Sequence, residues 1–153
     1  MKSFLLLPNG TPNLKWGSIP SGYHYEGTLP DGYKKAVAPT GNYIVVDIDV
    51  KKDKNGWEHI PMVITSELND SYNYLTKSGG SHVFLQYTGN QILKNTSTKW
   101  GIDLRISKCE KTGNNGGYIR YYPAEQGDDI RNHIHEIKET SLEMCNWLEK
   151  LFS

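Results

Sequence analysis

Two acidic side chains in an apolar run are the first feature of this sequence that could do chemistry. Asp47 and Asp49 end the segment YIVVDIDV at residues 43–50. Successive side chains of a β-strand point to opposite faces, so both aspartates would share one face with Tyr43 and Val45, and the other face would carry Ile44, Val46, Ile48 and Val50. Carboxylates this close repel each other unless a cation lies between them, and Mg²⁺ and Mn²⁺ prefer oxygen ligands. The spacing indicates a divalent-cation site; a strand end whose aspartates simply face water is the plainer alternative.

A second segment, YNYLTKSGGSHVFLQY at residues 72–87, has the pattern of a β-hairpin. Its alternation is interrupted by Ser78, Gly79 and Gly80, and His82 follows the turn. A glycine loop brings backbone N–H groups close to a neighbouring phosphate, and His82 would add a further donor. Taken alone, a histidine after a turn is typical of an ordinary surface residue.

The third segment, KWGIDLRIS at residues 99–107, again has one apolar and one charged face. Asp103 and Arg105 lie on the charged face. They would form a surface salt bridge of little energetic value, or Arg105 would use its guanidinium fork to hold a phosphate oxygen.

The three segments together predict more than any one of them. A single sheet would pack its apolar back on helices and carry five polar side chains in front: Asp47, Asp49, His82, Asp103 and Arg105. Three carboxylates beside a phosphate-binding loop are what two-metal phosphoryl transfer requires.

The elements that would position these residues are strands with few helices, which predicts an α+β domain. Strand patterns occur at 43–50, 72–77, 81–87, 102–107 and 117–122, and a short helix is predicted at 60–69. The first 40 residues, rich in Gly, Pro and Tyr, are expected to form turns and extended pieces. The tail predicts an amphipathic helix capped by Asp128 or Asp129; its apolar stripe is Ile130, Ile134, Ile137, Ser141, Met144, Leu148 and Leu151.

Length and composition narrow the class of protein. A chain of 153 residues with 37% hydrophobic residues, ten tyrosines and four tryptophans is expected to fold as one ordered domain. No apolar run has the length of a membrane span, and the opening MKSFLLLPNG is too short for a signal-peptide core, which predicts a cytosolic protein. Cys109 and Cys145 fit neither a paired-cysteine zinc site nor a disulfide framework, so we expect buried or inert thiols.

Charge is balanced overall but unevenly distributed. Residues 51–122 carry four more basic than acidic residues, and residues 123–153 carry four more acidic than basic residues. A net charge of zero disfavours a strong nucleic-acid binder. The basic middle permits weak, salt-sensitive binding, although a mixed solvated surface explains these charges equally well.

The ordered set DID (47–49), SGGSH (78–82) and GIDLR (101–105) resembles the archaeo-eukaryotic primase superfamily. The similarity is to the prim-pol type, the bifunctional DNA primase/polymerase N-terminal domain of phage and plasmid replication proteins. The later GGYIRYYP (116–123) resembles the strand that closes that domain, and Lys15-Trp16 and Thr40-Gly41-Asn42 also fit. The resemblance covers residues 5–123. No zinc element or helicase module accompanies it.

This resemblance implies an RRM-like mixed or antiparallel catalytic sheet with flanking helices and a C-terminal helix. It implies a prim-pol domain at 1–125, followed at 126–153 by an amphipathic helix that packs on it or serves association. Asp47, Asp49 and Asp103 would hold two Mg²⁺ or Mn²⁺ ions. The triphosphate of an incoming NTP or dNTP would be bound by His82, Ser78, Gly79, Gly80 and Arg105. The partners implied are a single-stranded DNA template and a separately encoded helicase, in the cytoplasm of a prokaryotic host.

Three other functions compete with this one. A non-catalytic single-stranded nucleic-acid-binding accessory protein would use an RRM-like sheet with exposed aromatic side chains. A metal-dependent nuclease would use the same acids. A rolling-circle nickase needs a His-hydrophobic-His metal pair, and the chain has His133 and His135, but these lie in the predicted tail helix, where residues i and i+2 point apart.

Overall fold

The structure, a computed structural model, describes residues 1–15, 18–107, 116–126 and 136–153. It is a small mixed α+β protein with mainly antiparallel sheets, and its described residues include three helices. No helix in the described ranges is long and apolar enough to cross a membrane. Trp16, Cys109, Asp128, Asp129, Ile130, Ile134, His133 and His135, named above, lie outside the described residues.

The main sheet has six strands, and period-two alternation predicts most of it. Along the chain these are β3 (Tyr43–Ile48), β6 (Asn73–Leu75), β7 (Ser81–Gln86), β8 (Thr96–Ser97), β9 (Ile102–Arg105) and β11 (Lys138–Glu139). β3 lies in the centre, antiparallel to both β7 and β9, and β8 lies beyond β9. The outer edge of β7 is shared: β6 pairs antiparallel with its first half and β11 parallel with its second.

The back of this sheet packs on two helices. α1 (Met62–Asn69) and α3 (Leu142–Phe152) bury Ile64, Leu68, Met144, Leu148 and Phe152 against the sheet. The sheet contributes the residues predicted from alternation: Ile44, Val46, Ile48, Val83, Leu85, Ile102, Leu104 and Ile106. This is the largest apolar cluster of the described residues, and it fixes which strand side chains face forward.

A smaller three-stranded sheet covers part of the front face. It consists of β1 (Lys2–Leu6), β2 (Lys34–Ala38) and β10 (Ile119–Arg120), in the order β1, β2, β10. Val37 and Ile119 pack against Val45, Tyr74 and Phe84 of the main sheet. The remaining elements are a two-stranded hairpin of β4 (Val50–Lys51) and β5 (Lys54–Asn55), a 3-10 turn (Gly56–His59) and the four-residue helix α2 (Pro123–Gln126).

The predicted tail helix is corrected at its start. Ser141 accepts a hydrogen bond from the backbone N–H of Met144 at 3.1 Å and is the N-cap of α3. The prediction of helix across residues 137–141 is wrong, because Lys138 and Glu139 pair with β7 as a strand. The 117–122 prediction is also too long, since only Ile119–Arg120 form a strand. Cys145 is buried, as expected.

Candidate active site

Three neighbouring strands bring a histidine and two acids side by side, with one of the acids in the middle. Asp47 of β3 is directly opposite His82 of β7 on one side and Asp103 of β9 on the other. The residues next to them in sequence point into the helix-covered core, so these three side chains face the front of the sheet. The structure therefore places together three of the residues that the sequence predicted from separate segments.

Asp49 lies just beyond the end of β3, and its backbone is held on both sides. Its N–H donates to the carbonyl of Gly101 at 2.8 Å, and its carbonyl accepts from the N–H of Gly56 at 2.8 Å. On the β7 side of β3, Gly80 lies so close to the strand end that a Cβ on it would collide with the carbonyl oxygen of Ile48. The glycine of the predicted phosphate loop is thus also a packing requirement of the acidic strand end.

The neighbouring carboxylates affect the pKa of Asp49 electrostatically. The pKa of Asp49 is raised above its ordinary value, first by burial and then by the negative charge of Asp47, with a smaller contribution from Asp103. The positive charges of Lys51 and Lys54 oppose this rise. Repulsion among the three acids is the condition that a bound cation would relieve.

His82 is buried, with 5% of its surface exposed, and both ring nitrogens have a protein partner. Its Nε2 lies 3.4 Å from Oδ1 of Asp47, and its Nδ1 lies 2.7 Å from the hydroxyl of Tyr74. An ionised carboxylate can only accept a hydrogen bond, so the Nε2 proton of His82 is the one that faces Asp47. The direction of the hydrogen bond between Nδ1 and the Tyr74 hydroxyl is set by the tautomer of the ring. Burial raises the pKa of Tyr74 well above its ordinary value, which keeps that hydroxyl protonated.

Tyr74 is the site residue that sequence reasoning missed. It pairs with His82 across the β6–β7 hairpin, and only 2% of its surface is exposed. The hairpin is predicted from the sequence, and its register would have placed the two residues opposite each other. The Tyr74 hydroxyl also lies 3.3 Å from the carbonyl oxygen of Arg120 in the covering sheet, which is an acceptor for its single proton.

Asp103 and Arg105 lie at the site but contact each other. Nη2 of Arg105 is 3.5 Å from Oδ2 of Asp103, and the other carboxylate oxygen accepts from the N–H of Thr98 at 3.3 Å. Arg105 pairs in register with Val45, two residues before Asp47. Arg105 therefore lies beside the acidic side chains, and its guanidinium forms a salt bridge with Asp103.

The predicted phosphate loop closes the β6–β7 hairpin beside the acidic strand end. Ser78 and Gly79 are exposed and Gly80 is buried. The N–H of Gly79 donates to the carbonyl of Thr76 at 3.0 Å, and the N–H of Thr76 donates to the carbonyl of Gly80 at 2.9 Å. The loop is thus a tight turn whose exposed tip is formed by Ser78 and Gly79, the latter with φ of 91°.

Oxygen donors dominate the charged part of the site, which suits a hard cation in character. In the part of the chain that the structure describes, no three His, Cys, Asp or Glu side chains form a group that could hold a metal ion. Asp47 and Asp103 face His82 and Arg105 respectively, so a metal ion would have to replace these partners.

The fold and the site define a small α+β protein with a histidine–acid–acid row, His82, Asp47 and Asp103, on the front of its main sheet. Comparison of the chain with protein-family models and with curated proteins finds no match.

Proposed function

We propose that this protein is the catalytic core of a DNA primase/polymerase, which transfers nucleotides to a growing strand on a single-stranded DNA template. The observation that supports this most is the register of three strands, with Asp47 between His82 and Asp103 and Asp49 two residues further along. In this proposal the main sheet is the RRM-like catalytic sheet of the prim-pol type. The reaction belongs to phage or plasmid replication and takes place in the cytoplasm of a prokaryotic cell, together with a separately encoded helicase.

In this proposal Asp47, Asp49 and Asp103 hold two Mg²⁺ or Mn²⁺ ions. The donor set fits, because all three are carboxylates, the oxygen ligands that these ions prefer. Burial, and then the negative charges of Asp47 and Asp103, raise the pKa of Asp49. When bound, the ions would supply Lewis-acid activation of a 3′-hydroxyl and stabilise the leaving pyrophosphate. Asp47 and Asp103 would exchange their contacts with His82 and Arg105 for these ions.

The released cationic and donor groups would then serve the nucleotide. Arg105 offers a guanidinium fork for phosphate oxygens, and His82 offers the Nε2 proton that now faces Asp47. Ser78, Gly79 and Gly80 line the triphosphate at the hairpin turn. Tyr74 keeps the ring of His82 oriented by its hydrogen bond to Nδ1.

The test is nucleotide incorporation on circular single-stranded DNA, with and without primer, in Mg²⁺ or Mn²⁺. We expect labelled product with wild-type protein and a loss of about 10²-fold or more in Asp47→Asn and Asp103→Asn, because each removes a charge that the transition state needs. Asp70→Asn is the matched control, since Asp70 is exposed at the end of α1. Product without primer indicates a primase, and product only with primer indicates a polymerase. Equal incorporation by wild type and both site variants would contradict the proposal.

The second candidate is a non-catalytic protein that binds single-stranded nucleic acid. The observation that favours it is that two of the three acids already have protein partners, His82 and Arg105. No incorporation by wild-type protein under any condition, with strand binding intact, would select this candidate.

A further inference from the structure

A cleft lies next to the acidic strand end, on the side away from the phosphate loop. It has a volume of about 320 Å³. Its walls are the β4–β5 hairpin, the 3-10 turn that follows, and the tip of the β8–β9 hairpin. The cleft is joined to the acidic site through the backbone, because the N–H of Asp49 donates to the carbonyl of Gly101, directly after Trp100.

The cleft is basic. Four lysines line it, against the two acids Asp53 and Glu58; the lysines are Lys51, Lys52, Lys54 and Lys99. Among the residues that the structure describes, none of these four ammonium groups forms a salt bridge or a side-chain hydrogen bond. The lining therefore has an excess of two positive charges that no carboxylate of the described residues neutralises by a salt bridge.

The β4–β5 hairpin places two positive charges opposite each other. Lys51 and Lys54 are directly opposite in the register of β4 and β5, so their side chains share one face. Like charges at directly opposite positions destabilise a strand pair. An anion bound between the two ammonium groups would convert that repulsion into attraction.

An aromatic wall completes the cleft. Trp100 is 39% exposed. The His59 ring lies 6.2 Å from it, tilted by 32°, and the Lys99 ammonium is 5.5 Å from the centre of the indole. The 3-10 turn that carries His59 is capped by Asn55, whose side chain accepts from the N–H of Trp57 at 3.1 Å.

We infer that this cleft binds single-stranded nucleic acid, with backbone phosphates on the lysines and a base stacked on Trp100. Lysines beside an exposed aromatic ring are the combination by which proteins hold single strands without reading their sequence. A free phosphate needs only the ammonium groups, whereas a strand uses both the charges and the ring. The role of the bound strand as template or primer rests on the proposed function; the binding does not.

The test is equilibrium binding of a fluorescent oligo(dT) of about 16 nucleotides, measured by anisotropy at low salt with EDTA, so that no catalytic metal contributes. We expect Lys51→Ala/Lys54→Ala to weaken binding about tenfold or more. The slope of log affinity against log salt should fall by about 0.7 for each phosphate that the variant no longer neutralises. The matched control, Lys94→Ala/Lys150→Ala, removes two exposed lysines beside and on α3 and should bind as wild type.

The ring is tested separately. We expect Trp100→Ala to weaken binding about tenfold and Trp100→Phe to retain most of it, because stacking needs an aromatic face. Tyr23→Ala, which removes a comparably exposed ring, should have no effect. If wild type does not bind the oligonucleotide, or if the lysine and Trp100 variants bind it as wild type does, the inference is overturned. Displacement of the strand by equimolar ATP would also overturn it, since the cleft would then hold a free nucleotide.

The two failures are distinguishable. Asp47→Asn should bind oligo(dT) normally in EDTA. Loss of binding in the cleft variants of a protein that makes no product would support the cleft and reject the polymerase. If the protein is an active polymerase and its cleft variants bind oligo(dT) normally, the polymerase is supported and the cleft is rejected.

Discussion

At the scale of single residues, the three acids of the site differ in how they are compensated. Asp47 faces the imidazole of His82, and Asp103 contacts Arg105 and the N–H of Thr98. For the Asp49 carboxylate, no hydrogen-bond or salt-bridge partner lies among the described residues. Asp49 is thus the acid whose ionisation the folded protein opposes, which agrees with its raised pKa.

Asp49→Asn is expected to stabilise the metal-free protein at neutral pH. The pKa of Asp49 in the folded state lies above the 3.8 of the unfolded chain, so ionisation is less favourable after folding. That destabilisation is fully present above the folded-state pKa and disappears as the pH falls below the unfolded value. We expect a gain of about 0.5 kcal/mol or less, because the group is partly solvated, measured by urea unfolding across the acidic range.

The control for this prediction is Asp31→Asn at an exposed position, where a surface substitution should change the free energy of unfolding little. A loss of stability in Asp49→Asn at neutral pH would contradict the inferred repulsion. Addition of Mg²⁺ separates the proposed metal role, because it should raise the unfolding temperature of wild type and not that of the variant.

Most of the acidic group is predictable from alternation alone. The faces of Asp47, His82 and Asp103 follow from period two, since one-residue shifts would have buried a charge. The protein partners of these residues are not predictable, because they depend on register between distant strands. The burial of His82 in particular depends on a second sheet that covers the front, and nothing local in residues 72–87 indicates it.

At the scale of elements, the site depends on how closely the hairpin turn approaches the end of β3. Gly80→Ala is expected to destabilise the protein by about 1–3 kcal/mol, because the new Cβ would push against the backbone of Ile48 and Val50. It should also lower nucleotide incorporation, since Asp49 lies between those two residues. Both effects are measured on one preparation, by urea unfolding and primer extension.

Gly41→Ala is the matched control. Gly41 has φ of 61°, and a Cβ added there would meet no atom within 4 Å, so alanine meets only the left-handed backbone cost of about 1–2 kcal/mol. Incorporation should be retained. If Gly80→Ala were as stable and as active as Gly41→Ala, the close contact of Gly80 with the end of β3 would matter for neither stability nor activity.

The elements also show where periodicity misleads. The stripe of the tail continues through Ile137 and Ser141 with helical spacing, yet Lys138 pairs with Leu85, far away in sequence. The N–H of Lys138 donates to the hydroxyl of Ser71 at 2.9 Å, which holds the segment extended. Such long-range pairing leaves no local signal, and so the helical spacing places the N-cap Ser141 inside the stripe.

At the scale of the whole molecule, α3 completes the core on the back of the main sheet. Leu148 is fully buried, whereas Leu142 on the same helix is 77% exposed. We expect Leu148→Ala to cost about 2–5 kcal/mol through lost burial and a cavity. Leu142→Ala, the control, should change the free energy of unfolding by about 0.5 kcal/mol or less.

The same measurement tests the predicted division at residue 125. Tryptophan fluorescence and far-ultraviolet circular dichroism should give one coincident transition, because α3 shares a core with β3, β7 and β9. Two separate transitions, or a Leu148→Ala variant as stable as Leu142→Ala, would indicate that the tail folds apart from the rest.

The central position of β3 has a consequence for biosynthesis. β3 leaves the ribosome before both of the strands that flank it, β7 and β9. Until residue 105 has emerged, Asp47 and Asp103 have not met, and the apolar run of β3 keeps an unpaired edge. A nascent or prematurely terminated chain therefore lacks the acidic row and is prone to aggregate, so the same pairing that protects the strand also creates the row.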